Sequence, residues 1–281
     1  MAYRSWLFVP GDSLAKMEKA AGSEADALIL DLEDSVAAGA KPAAREAAAA
    51  FLGRPAPMAR FVRVNALDTG LAEADVAAVQ PAQPDGYVLP KCAGPEDVET
   101  LARLIDAGGT GGQPILPIAT ETPRAVQALM ARDWTHPRLV GLSWGAEDLA
   151  AALGALSNKD AEGRFHSPFV LARDAMLMAA RAAGVPAIDT VYTDFRDPGG
   201  LDAEARAALE VGFGGKLAIH PAQCATINRT FTPSEDSLAW ARAVVAAMEA
   251  AGGGVAQLDG RMLDQPHLKQ ARALLARAGR D

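Results

Sequence analysis

Short apolar runs of strand length recur along the chain, separated by stretches with helical spacing. Eight such runs stand out: 5–10 (SWLFVP), 27–32 (ALILDL), 61–65 (FVRVN), 86–91 (GYVLPK), 115–121 (ILPIATE), 139–144 (LVGLSW), 187–193 (AIDTVYT) and 216–221 (KLAIHP). Several are apolar at successive positions rather than alternating, as strands buried on both faces of a parallel sheet are. The segments between them carry helix signals. Residues 12–21 open on an Asp-Ser pair, 95–107 on Gly-Pro-Glu-Asp, 123–132 on a proline in the first turn, and 167–183 close on Gly184.

Eight strand–helix units joined by right-handed crossovers predict a (β/α)8 TIM barrel, with an open doubly wound sheet as the alternative. No GxGxxG follows the first strand to support the open sheet. After the eighth strand come a long Ala-rich helix over 233–251, a glycine break at 252–254, and a tail over 255–280 with a short run (VAQLDGRMLD) and a last helix. The expected organisation is a barrel over 1–230 and a C-terminal helical extension over 231–281.

Composition narrows the class. The chain has 281 residues, half of them hydrophobic, which suits a full core rather than a disordered segment. Its 27 Lys and Arg against 35 Asp and Glu leave a net charge of −8, a poor match to nucleic acid or an anionic membrane. Two cysteines do not make a disulfide framework, so a reducing cytoplasm is expected. No apolar run approaches the ~18 residues of a membrane span. A soluble enzyme is the favoured class.

Polar residues fall where the predicted strands end. Asp31, Glu33 and Asp34 close the second run, Arg63 and Asn65 the third, Lys91 the fourth and Glu121 the fifth. Asp148 follows the sixth, Asp189 lies in the seventh and His220 in the eighth. In a barrel all of these gather at the carboxyl-end rim, where such enzymes build active sites. A solvated ring of loop charges explains one or two of them, but not one on nearly every strand. Glu121 and Asp148, on neighbouring strands, are the best metal ligands, and two carboxylates with the other positions left to water and substrate suit Mg²⁺. The four histidines lack zinc-site spacing.

One motif competes. Gly141-Leu142-Ser143-Trp144-Gly145 matches a GxSxG nucleophile elbow, and Asp189 and His220 follow in the hydrolase order. It leaves Asp31, Glu33, Arg63 and Glu121 without a role, and no HGGG-type oxyanion segment is present.

The blocks RSWLFVPG, LILDLEDSV, FVRVN, VLPK, GAEDL, GFGGKLAIHPAQ and DGRMLDQPHLKQAR resemble, in order and over essentially the whole chain, the HpcH/HpaI aldolase/citrate lyase superfamily. Within it they look most like the CoA-ester lyase branch, which includes the citrate lyase β-subunit and CitE-like proteins. The resemblance implies a TIM barrel, Mg²⁺, a homotrimer, and making or breaking a bond between an acetyl thioester and a 2-oxo acid. Carried over by motif, it implies Glu121 and Asp148 as metal ligands, and Arg63, Glu33 and Asp34 as catalytic residues. Arg4, Phe8, Pro10, Gly11, Lys16 and Lys19 fall on the CoA-facing start. Asp264 falls on a tail aspartate that acts on the thioester methyl, reaching a neighbouring subunit's site. The chain departs from the pattern in reading ATET where a more apolar run is expected before the glutamate.

The implied ligands are a CoA or phosphopantetheine thioester and a 2-oxo acid: oxaloacetate, glyoxylate or pyruvate. Lys16 and Lys19, one helical turn apart, suit phosphate groups or simply a solvated helix face. Asp264 suits an acid/base or a helix N-cap. A malyl-CoA-type thioesterase and a subunit dependent on an acyl-carrier protein would use the same residues.

Overall fold

The computed structural model describes residues 3–109, 111–252 and 254–278. Its contacts divide the chain after Asn228 into two units.

The first unit is a parallel barrel. Its strands are β1 (Ser5–Pro10), β2 (Ala27–Asp31), β3 (Ala59–Arg63), β4 (Gly86–Leu89), β5 (Ile115–Pro117), β6 (Leu142–Ser143), β7 (Ala187–Asp189) and β8 (Gly215–Ala218). Hydrogen bonding runs in the order β5-β4-β3-β2-β1-β8-β7-β6, and parallel bridges Ile115↔Leu139 and Ile118↔Ser143 join the two ends. Each strand leads to a helix: α1 (Leu14–Ala21), α2 (Lys41–Leu52), α3 (Ala72–Val79), α4 (Pro95–Ala107), α5 (Pro123–Ala131), α6 (Ala146–Leu153) with α7 (Ser167–Ala182), α8 (Pro198–Val211) and α9 (Cys224–Phe231). This is the (β/α)8 fold. Inside it Trp6, Ile29, Phe61, Val88, Leu116, Ile118, Ile188 and Leu217 pack as one core. The Tyr3, Trp6 and Phe61 rings meet edge-on at centroid separations of 4.8–5.8 Å.

Regular pairing stops sooner than the apolar runs do. Pro90 has no N–H to donate and Lys91 has φ +49°, so β4 ends at Leu89. The run expected to end in Glu121 keeps its ladder only to Pro117. Asp148, expected just past a strand, lies in the first turn of α6, and His220 caps a 3₁₀ turn after β8. The rim residues therefore sit on short irregular segments between strand ends and helix starts.

The second unit contains α10 (Glu235–Ala250), capped by Ser234, then β9 (Ala256–Leu258), β10 (Arg261–Leu263) and α11 (Gln265–Ala278). Its core is Ala241, Val244, Met248, Leu263, Leu268 and Ala271. The short run expected in the tail is thus a hairpin. It turns on Asp259 and Gly260, both with positive φ. Gly253, the middle of the expected glycine hinge, and the end of the last expected helix at 279–280 lie outside the described residues.

Candidate active site

Asp31 ends β2 and Arg63 ends β3, paired in register across the sheet. The carboxylate takes the guanidinium as a fork, from Nε and Nη2, both at 2.7 Å. Asp31 also accepts the Glu33 and Ser35 amides at 2.8 and 3.1 Å. Burial alone would raise its pKa, but Arg63 and these amides hold it below the ordinary value. Arg63 is 8% exposed; its pKa is raised, the Asp31 contacts outweighing burial. Arg63 Cζ lies 4.7 Å from the centre of the Phe8 ring. Its Nη1 is 3.0 Å from Glu33 Oε2, an ion-pair contact without hydrogen-bond geometry, and 3.7 Å from Asp34.

Lys91 ties this cluster to the next strands. Its left-handed backbone points its amide at Glu121 Oε2 while its ammonium reaches Glu33, Asp34 (3.4 Å) and Asp148 (3.5 Å). Burial lowers and Glu33 raises its pKa, with a net rise. Burial also pushes the Glu33 pKa up, against the pull of Arg63 and Lys91. Glu121 is 4% exposed, and burial together with the nearby Asp148 pushes its pKa up to about 8.

Two glycines permit this packing. A Cβ on Gly145 would stand 2.9 Å from Glu121 Cγ, and one on Gly11 2.8 Å from the Asp31 carbonyl oxygen. Gly145 is held there by Thr120, whose hydroxyl accepts its amide at 3.0 Å and donates to its carbonyl at 3.2 Å. Phe8, Arg63, Glu121, Trp144, Gly145 and Asp148 line one cavity of about 90 Å³.

Arg63, Glu33, Asp34, Glu121, Asp148 and Phe8 are thus gathered at the rim, with Pro10 and Gly11 at the end of β1 beside Asp31. Lys16 and Lys19 lie exposed on α1. Arg4 is not gathered. It precedes β1, at the opposite end of the barrel, where it grips Asp26 through Nε and Nη2 at 2.9 Å each. The expectation that it faces the ligand with Gly11 is corrected by the direction of β1. Asp264 belongs to the second unit, before α11, with Oδ1 2.6 Å from His267 Nδ1. Lys91, Asp31 and Thr120 carry more of the geometry than their sequence positions indicated. Lys91 is placed at the rim by its position at the end of the fourth run, but the sequence gives it no role.

The hydrolase constellation is not assembled. Ser143 is fully buried in β6 and donates to the Ile188 carbonyl at 3.1 Å, so it is not on an exposed elbow. Asp189 is occupied by the Lys216 ammonium and the Trp144 indole (2.8 Å). His220 Nδ1 accepts the Ala222 amide, and its ring stacks on Phe195. Asn65 is also structural, bonded to Asp75 and the Leu32 carbonyl.

Fold and rim together define a (β/α)8-barrel enzyme with a carboxylate-rich site around a buried arginine. The chain belongs to the HpcH/HpaI aldolase/citrate lyase family, which it matches over residues 4–221. It is 38% identical over 286 residues to a (3S)-malyl-CoA thioesterase of Cereibacter sphaeroides, covering 98% of this chain and 94% of that protein. It is 34% identical to the mitochondrial citramalyl-CoA lyase of Rattus norvegicus, covering 98% and 86%. The crystal structure of CitE from Mycobacterium tuberculosis in complex with magnesium, acetoacetate and coenzyme A superposes with a TM-score of 0.83 at 36% identity, covering 99% of this chain and 98% of that one.

Proposed function

We propose that this protein is a Mg²⁺-dependent carbon–carbon lyase acting on 3-hydroxyacyl-CoA-type thioesters of the citryl, malyl or citramalyl class. The products are an acetyl thioester and a 2-oxo acid: oxaloacetate, glyoxylate or pyruvate. One observation carries the reading. Around the cavity five carboxylates, Asp31, Glu33, Asp34, Glu121 and Asp148, share two cations, Arg63 and Lys91. That negative excess fits a divalent cation, and Glu121 with Asp148 are the carboxylates to hold it. Among the described residues no cluster of three or more His, Cys, Asp or Glu side chains is built for a metal. Two protein carboxylates, with the remaining positions left to oxygen ligands, is a magnesium pattern. When bound, Mg²⁺ supplies Lewis-acid polarisation of the substrate's oxygens.

The residues divide the remaining work. Arg63, fixed by Asp31 and Phe8, offers a preorganised cation to oxygen charge that develops as the bond breaks. Glu33 and Asp34 position Arg63 and Lys91. In cleavage the substrate hydroxyl gives up its proton and the enolate carbon of the acetyl thioester gains one; Asp264 delivers the latter, and in condensation it removes a proton from the methyl. The thioester arm lies along the end of β1 at Pro10 and Gly11, and Lys16 and Lys19 face its phosphates. A carrier-protein phosphopantetheine offers the same arm. The assembly is a homotrimer in the cytoplasm.

The relative named as a malyl-CoA thioesterase favours a second reading, in which water attacks the thioester carbonyl. Both are tested by incubating the protein with malyl-, citramalyl- and citryl-CoA, with Mg²⁺ or EDTA. Acetyl-CoA and 2-oxo acid in equal amounts are expected, and loss of both in Glu121→Ala and Asp148→Ala without loss of fold. Free CoA with no 2-oxo acid would establish the thioesterase. Full activity in EDTA would overturn the site.

A further inference from the structure

A second cavity, about 430 Å³, shares Lys91 with the carboxylate site. Its walls include Leu67, Asp68, Lys91, Asp97, Thr122 and Arg124, from the segments that follow β3, β4 and β5. Its size is that of a small-molecule pocket (~300–1,000 Å³). It adjoins the first site directly. Lys91 lines it while its ammonium reaches Glu33 and Asp148, and Thr122 follows Glu121 in the chain.

Two of the four charged side chains on this wall are already matched. Lys91 is paired with carboxylates of the first site, and Asp97 accepts the Ala93 amide at 2.7 Å. Arg124, in the first turn of α5, is different: it makes no ion pair or side-chain hydrogen bond among the described residues. Asp68, on the β3 side, likewise has none, and the two do not pair with each other. An exposed, unpaired guanidinium at the edge of a cavity next to the reacting site suits a carboxylate, because its planar fork matches two carboxylate oxygens.

We infer that this cavity receives the side chain of the 2-oxo acid fragment and that Arg124 selects a second carboxylate on it. The inference rests on the lyase reading above and makes it specific. The preferred fragment is a dicarboxylic 2-oxo acid of the oxaloacetate type rather than glyoxylate or pyruvate. Arg124 is then a specificity-determining residue, and Asp68 opposes longer or doubly charged ends.

The test compares oxaloacetate with 2-oxobutanoate, which has the same chain length but a methyl in place of the distal carboxylate. Binding of each is measured by calorimetry at low temperature with saturating Mg²⁺. Wild type is expected to bind oxaloacetate about tenfold more tightly, the scale of one exposed charge-assisted fork. Arg124→Gln should close that gap by weakening oxaloacetate alone, Arg124→Lys should restore part of it, and Asp68→Asn should widen it. Equal binding of both acids by wild type, or an unchanged ratio in Arg124→Gln, overturns the inference while leaving the lyase reading intact. If neither acid binds wild type with Mg²⁺ but glyoxylate or pyruvate does, the inference alone falls; if none of the four binds, the lyase reading falls and takes the inference with it.

Discussion

Arg63 owes its use to how little it can move. Asp31 holds two of its nitrogens, Glu33 flanks the third, and Phe8 covers its face. Lysine would keep the charge but lose the fork, leaving Asp31 half-satisfied in a buried setting. Arg63→Lys should therefore lower kcat by roughly 10²-fold at saturating Mg²⁺, the scale of one lost oxyanion donor. Unchanged kinetics would remove Arg63 from the chemistry. Glu121 makes a different prediction. Its pKa is pushed up to about 8 in the metal-free protein, against an ordinary 4.5. Between these values the folded chain keeps a proton that the unfolded chain has lost, so stability is complete below pH 4.5 and declines as pH rises through 8. The metal-free protein should melt at progressively lower temperature from pH 5 to 8.5, and Glu121→Gln should flatten that decline. Mg²⁺ must displace the same proton, so its affinity should rise about tenfold per pH unit up to 8. A melting temperature equally pH-dependent in wild type and Glu121→Gln would refute the assignment.

Among the elements, the β5–β6 junction shows how the site depends on structure outside the ladders. Backbone pairing between these strands is reduced to isolated bridges, and the Thr120 side chain continues it by holding both polar groups of Gly145. The threonine in ATET, which reads as a departure from a more apolar run, thereby presses a glycine Cα against Glu121. Gly145→Ala keeps an ordinary backbone φ of −120° but puts a methyl 2.9 Å from Glu121 Cγ. The melting temperature should change little, and Mg²⁺ affinity, read by titration, should fall about tenfold as Glu121 is displaced. Wild-type affinity in this variant would show that Glu121 has room to spare. The same junction shows what the sequence made legible. Apolar runs located all eight strands, because burial on both faces forces continuous hydrophobicity. Strand ends were not legible, because polar rim residues are placed by side-chain bonds and one left-handed lysine, which leave no periodic trace. The direction of β1, once known, is enough to separate Arg4 from Gly11. The segment VAQLDGRMLD, read only as a short run, is a hairpin whose Asp-Gly pair forms the turn, both residues at positive φ.

At the scale of the whole molecule, the barrel unit holds every proposed site residue except Asp264. That aspartate lies in the second unit, which has its own core and begins at Arg229. Its contact with His267 and its place before α11 suit a helix cap, so position alone does not make it catalytic. Its proposed role requires that the tail of one chain serve a barrel, and in a ring of three the barrel can be the neighbour's. Two inactive variants distinguish the arrangements. Glu121→Ala lacks the metal site and keeps the tail, and Asp264→Asn has the reverse. Mixed under conditions that allow subunit exchange, random trimers would pair an intact barrel with an intact neighbouring tail at about a quarter of their sites. Activity near that fraction of wild type is the expected result, with a trimer mass by light scattering. If Asp264 serves its own barrel, every site carries one lesion and the mixture stays inactive. A monomer, or an Asp264→Asn protein with wild-type turnover, would end the proposal before any mixing.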